Sequence, residues 1–184
     1  MPVPSNRYGR TAITLHWAVA TLIGIALVLI WVTPRRNEPG YGTLLELHKS
    51  VGMMVLLLAA LRLAWRRVNP VAPAAGLTPM EARLSALTHG LLYFIMIAIP
   101  LTGYLFSSAE GQSLTFFGLD TVASPLATSR TFSRPMEILH KTGQWAVYGV
   151  VGLHALAALY HYFIKRDGVL QRMLPRARSR VGAD

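Results

Sequence analysis

Cysteine does not occur anywhere in the 184 residues. That absence excludes disulfides, thiolate metal ligands, iron–sulfur clusters and covalent c-type haem attachment together, so any haem would have to be held non-covalently by histidine or methionine. Acidic side chains are scarce as well, with 8 Asp and Glu against 18 Lys and Arg. The charged share of 14% falls well short of the roughly one quarter usual in a soluble domain. Apolar residues take up the difference, at 53%, which predicts one integral membrane domain spanning 1–184. The net charge of +10 does not imply nucleic acid as a partner. The basic residues fall between hydrophobic runs and in the tail, where a lipid membrane and the positive-inside rule would place them.

Four apolar runs are long enough to cross a bilayer as helices, at about 13–32, 46–65, 84–107 and 138–164, given the ~20 residues a span requires. The amino-terminal MPVPSNRYGR and the run after it superficially resemble a signal peptide, but no small-residue cleavage site follows, so the run is expected to stay as the first span. Pro100 and Gly103 sit inside the third run, where Pro100 is expected to kink the helix. A long mixed loop over 110–137 and a basic tail over 165–184 complete the chain. Most basic residues lie in the amino-terminal segment, the second connection and the tail. Arg35, Arg36, Arg130, Arg134, Lys49 and Lys141 lie at the other two connections. This bias predicts an all-α four-helix bundle in a bacterial inner membrane with both termini cytoplasmic.

Histidine is costly in lipid and is by default a functional residue there. The fourth run carries His140 and His154, 14 residues apart, which is nearly four helical turns, so both imidazoles leave one face separated by about 21 Å. With odd spans running outward and even spans inward, His48 and His140 both lie near the outer face. His154 lies toward the inner half, as do His16 and His89. Two opposed imidazoles at one depth suit a six-coordinate b-type haem, and two depths suit two of them. Gly52, Gly143, Gly149 and Gly152 near the ligands leave room for a flat macrocycle. Zinc and di-iron sites lack their customary carboxylates here, because Glu46 and Glu137 face the wet boundary. By depth alone, either His16 or His89 can partner His154. His161 falls at the membrane edge, as a headgroup contact or a redox-linked proton carrier.

The succession TLHW, ELHKS, THGLLYF, and LHK followed by GLHALAALYHYF, with a tail reaching MLPR, resembles the bacterial cytochrome b561 family over nearly the whole chain. The resemblance implies a diheme membrane cytochrome with two non-covalent haem b groups. It places one between His16 and His154 and the other between His48 and His140, and so favours His16 over His89. The type it most resembles passes electrons from superoxide at the outer face to ubiquinone, which makes this chain a candidate superoxide oxidase. A quinone close to the inner haem would then bring in His89, with His161, Arg62 and Tyr160 as further candidates for proton handling. At the donor side Lys49 and Lys141 each follow an outer ligand and are candidate catalytic cations for a small anion. Haem-propionate pairing or a solvated helix start accounts for them equally well. The alternative function is a membrane-anchoring cytochrome b subunit that relays electrons between a partner dehydrogenase or c-type cytochrome and the quinone pool.

Overall fold

The computed structural model describes residues 7–122, 124 and 126–175, so the last basic residues of the tail, from 176 on, lie outside the described residues. Four long helices carry the fold: α1 (Arg10–Val32), α2 (Tyr41–Val68), α3 (Pro79–Ala109) and α4 (Arg130–Tyr160). Each is long and apolar enough to cross a membrane, in agreement with the four spans read from hydropathy. Their ends extend beyond those spans because helices continue into water where hydropathy has already fallen. Thus α3 starts at a capping box, in which Thr78 accepts from the Glu81 N–H at 3.3 Å and Glu81 accepts from the Thr78 N–H at 2.8 Å, with Pro79 in the first turn. Likewise α4 begins at Arg130, with a polar extension up to Glu137 and Pro135 within it.

The helices run up and down, each packed on the next in sequence. His16 and Trp31 of α1 meet His154 and Tyr148 of α4, which closes the bundle. Both described termini therefore lie at one end, here the terminal end, and the 110–129 connection lies at the other, the loop end. A small core of Val19, Ala59, Leu92, Tyr93, Ile95 and Met96 joins the first three helices. Large apolar side chains such as Val28, Leu57, Phe94 and Leu156 point outward. Outward-facing Leu and Phe are what a lipid surround permits, since helices in a bilayer gain little by hiding them from one another.

The loop end is more ordered than its composition implies. Two short antiparallel strands, β1 (Leu114–Phe116) and β2 (Asp120–Val122), pair with Leu114 opposite Val122. Between them Phe117 and Gly118 take φ of 51° and 75°. A bulky residue in that left-handed region costs about 1–2 kcal/mol. It is offset where the Phe117 N–H donates to the Ser50 hydroxyl at 3.0 Å. Ser50 is fully buried, and its own proton faces the carbonyls of Glu46 (2.9 Å) and Thr115 (3.1 Å). Glu46 adds a contact from the Thr115 N–H at 3.3 Å, so the hairpin is fastened to the turn of α2 that carries His48. At the terminal end α4 passes into a π-helical turn over His161–Lys165 and a 3-10 turn over Leu170–Arg172. Lys165 pairs with Glu81 at 2.7 Å, and the Trp17 indole donates to the Met173 carbonyl at 2.7 Å, which draws the segment after α4 across the terminal end.

Candidate functional site

Five of the six histidines settle into two groups, one toward each end of the bundle. Near the loop end the rings of His48 and His140 lie 6.2 Å apart between centroids, at 77° to one another. Near the terminal end His16 and His154 are also 6.2 Å apart, at 72°. The distance has a chemical meaning. An imidazole nitrogen sits about 2 Å from a bound first-row metal, and a five-membered ring built from bonds of about 1.33 Å has a radius of roughly 1.1 Å. Two such ligands on opposite sides of one metal ion place their centroids about 6.2 Å apart. Both pairs meet that value, and they come from three different helices, α1, α2 and α4.

His89 departs from it. Its ring lies 5.3 Å from that of His154, about an ångström too close for a shared axial metal. Its Nδ1 donates to the Ser85 carbonyl at 2.6 Å on its own helix. The structure therefore gathers His16, His89 and His154 at one end but gives the axial spacing only to the first and last. His161 stands apart, with Nδ1 2.5 Å from the Asp167 carboxylate. Burial works against ionisation of Asp167, but the His161 contact and the Val169 N–H hold its carboxyl below the usual range. Among the described residues no group of three or more His, Asp or Glu could hold a metal ion.

At the loop end the tautomers are fixed. His48 Nδ1 lies 2.9 Å from the Ala26 carbonyl of α1, and His140 Nδ1 lies 2.8 Å from the Ile99 carbonyl of α3. A carbonyl only accepts, so each Nδ1 carries the hydrogen and each Nε2 keeps its lone pair, as metal-ligating histidines require. A cavity of about 1000 Å³ is lined by both histidines, Gly52 and Gly103. A side chain at Gly52, one turn after His48, would meet nothing within 4 Å, which leaves open space beside the loop-end pair. Gly103 serves differently: a Cβ there would stand 2.6 Å from His140 Cε1, so only glycine lets α3 approach that ring. These features fit a flat macrocycle with two axial nitrogens, and the fit rests on spacing, tautomer and space alike.

The basic residues divide by circumstance. Lys49 is only 12% exposed and bridges Glu46 at 2.7 Å to Gln112 at 3.0 Å. Lys141 is 67% exposed and pairs with Glu137 at 2.6 Å. Arg36 and Arg130 line the loop-end cavity as well. At the terminal end Arg62 and Arg66 lie over the Tyr93 ring, 5.6 Å and 6.0 Å from its centroid. Gly103 as a histidine neighbour, Ser50 as the anchor of a hairpin and Tyr93 carry no signal along the chain, because all three act through contacts between separate elements.

The chain matches a family model described as prokaryotic cytochrome b561 over residues 7–176. It is 32% identical over 180 residues to cytochrome b561 homolog 2 of Escherichia coli (strain K12), covering 96% of each chain. It is 31% identical over 180 residues to the probable superoxide oxidase CybB of Yersinia pestis, covering 95% of this chain and 99% of that one. It is also 30% identical over 173 residues to cytochrome b562 of Cereibacter sphaeroides, with 91% and 94% covered.

Proposed function

The chain belongs to the prokaryotic cytochrome b561 family, and from that premise we propose that it carries electrons across the bacterial inner membrane from superoxide at the periplasmic side to ubiquinone. Electron transfer and b-type haem are properties of the family. The donor, the acceptor, the orientation and the use of two haems are our reading. The observation that carries it is the recurrence of one spacing, 6.2 Å, at two levels of the bundle. His48 and His140 would hold one haem b and His16 and His154 the other. Bound there, the group would supply a one-electron couple.

The chain's residues do the rest. In this orientation the loop end faces the periplasm, as the excess of basic residues at the terminal end favours. The hairpin fastened by Ser50 and Glu46 covers the turn that carries His48 and limits the entry of water. Arg36, Arg130 and Lys141 give the entrance a positive field that favours a small anion. Lys49, held by Glu46 and Gln112, keeps the hairpin against α2. At the terminal end, reduction of a quinone takes up protons. The His89 Nδ1–H is committed to Ser85, which leaves Nε2 to accept or pass one. The His161–Asp167 pair lies at the surface on the same side.

Purified protein tests the reading. Superoxide should reduce the haem absorbance rapidly, ubiquinone should reoxidise it without another polypeptide, and the rate should fall with salt and with Lys141→Ala. Reduction that requires a dehydrogenase or a c-type cytochrome would replace the enzyme with the anchoring subunit.

A further inference from the structure

We propose that Arg62 and Arg66, with the Tyr93 hydroxyl, form a carboxylate clamp that grips the propionates of the haem held by His16 and His154. The inference rests on the ligand pair just described and assigns residues that ligation does not involve.

Three observations lead to it. Arg62 is half-buried on a membrane-spanning helix and Arg66, one turn on, is exposed in its last turn, yet no ion pair among the described residues includes either. A guanidinium cannot shed its proton, and an uncompensated one inside a bundle is costly, so the site calls for an anion. Second, both guanidiniums are stacked on one ring, Tyr93, which is nine-tenths buried and whose hydroxyl has no hydrogen-bond partner. Two cations and one orphaned donor at a single place match the acceptor oxygens of a carboxylate. Third, the site adjoins the ligands: Arg62 lies within electrostatic reach of His16, His89 and His154. A neutral quinone would leave the two positive charges uncompensated. The propionates of a porphyrin bound between His16 and His154 would balance them.

The test uses the full chain carrying His48→Ala, so that only the terminal-end site remains, made in a haem-deficient host and loaded with haem b or with haem b dimethyl ester. The ester keeps the iron and the ring but has no anionic oxygen. The clamp predicts that haem b is retained about ten- to a hundredfold more tightly than the ester, the range for charge-assisted hydrogen bonds. Arg62→Gln and Arg66→Gln should each shrink that preference, and Arg62→Lys should restore part of it. Equal retention of haem and ester before any arginine is changed, or an undiminished preference in both glutamine variants, overturns the clamp while leaving the ligands in place. A defect in the glutamine variants that follows added anionic phospholipid and ignores the ester assigns the arginines to a lipid phosphate, which also overturns it. A bound, low-spin spectrum that survives His16→Ala in this background sinks the ligand pair itself.

Discussion

Gly103→Ala should empty the loop-end site without touching the other. The added methyl carbon would stand 2.6 Å from His140 Cε1 and 2.8 Å from Nδ1, where carbon atoms ordinarily keep 3.5–4.0 Å. The ring would have to retreat by about 1 Å. Its bond to the Ile99 carbonyl, now 2.8 Å, would then exceed the ~3.2 Å limit of a good N–H···O contact. Overpacking costs about 1–3 kcal/mol and the lost hydrogen bond about 0.5–1.5 kcal/mol. A ligand displaced with its supporting contact broken typically loses 10- to 100-fold in metal affinity. Haem content of the purified variant should fall from two per chain, on the proposed ligation, toward one, with the remaining spectrum that of the His16–His154 site. Gly24→Ala, where a Cβ meets nothing within 4 Å, serves as the control and should change neither. Full haem content and an unmoved reduced spectrum in Gly103→Ala would refute the close approach of α3 to His140.

Three further outcomes follow from the same contacts. Ser50→Ala leaves the Phe117 N–H and the Thr115 carbonyl without a partner and should cost about 1–3 kcal/mol, seen as faster hydrogen exchange at the Phe117 amide; unchanged exchange would detach the hairpin from Ser50. His89→Ala should keep both haems and slow reoxidation by quinone, since its spacing to His154 is too short for shared ligation; loss of a haem would make His89 a ligand. Asp167 has a carboxyl pKa below its unfolded value, so its contribution to stability is complete above about pH 4 and is lost as pH falls through the folded value. Hydrogen exchange at the Leu170–Arg172 amides, corrected for its intrinsic pH dependence, should therefore accelerate below about pH 4, and in Asp167→Asn it should be fast at every pH.

Span number, the two levels of histidines and the His140–His154 spacing were legible because each depends on distance along one helix. Hydropathy reports how long an apolar run is, and 14 residues of α-helix can be measured without a fold. What was hidden depends on neighbours. Depth could not separate His16 from His89, since both lie near the terminal end, and resemblance was needed to prefer one. In three dimensions their ring distances to His154 differ, 6.2 Å for His16 and 5.3 Å for His89. Hydropathy ended the fourth span at 138, whereas the helix begins at Arg130, because a helix needs hydrogen bonds and caps, not lipid. The hairpin escaped notice because three-residue strands are shorter than any periodicity can show, and because its anchor, Ser50, is an ordinary helix serine until Thr115 and Phe117 arrive from 65 and 67 residues away.

The two histidine pairs share a spacing but not a setting, and the difference favours one direction of flow. At the loop end both Nδ1–H groups are bonded to carbonyls, which would raise the basicity of the two ligands and favour the ferric state of a haem held there. At the terminal end His16 Nδ1 is buried without a partner, and Arg62 stands nearby with its positive charge, which would favour the ferrous state of a haem held there. With haems held as proposed, both differences would lower the potential at His48–His140 relative to His16–His154. An electron entering at the loop end would thus move downhill toward the end where quinone is proposed to bind. Potentiometric titration of His16→Ala, which keeps the loop-end site, and His48→Ala, which keeps the terminal one, separates the two values. The loop-end midpoint should be the lower, and Arg62→Gln should bring the terminal one down toward it. The reverse order would show that solvent and propionate charge outweigh these contacts, and the downhill direction would have to be drawn the other way.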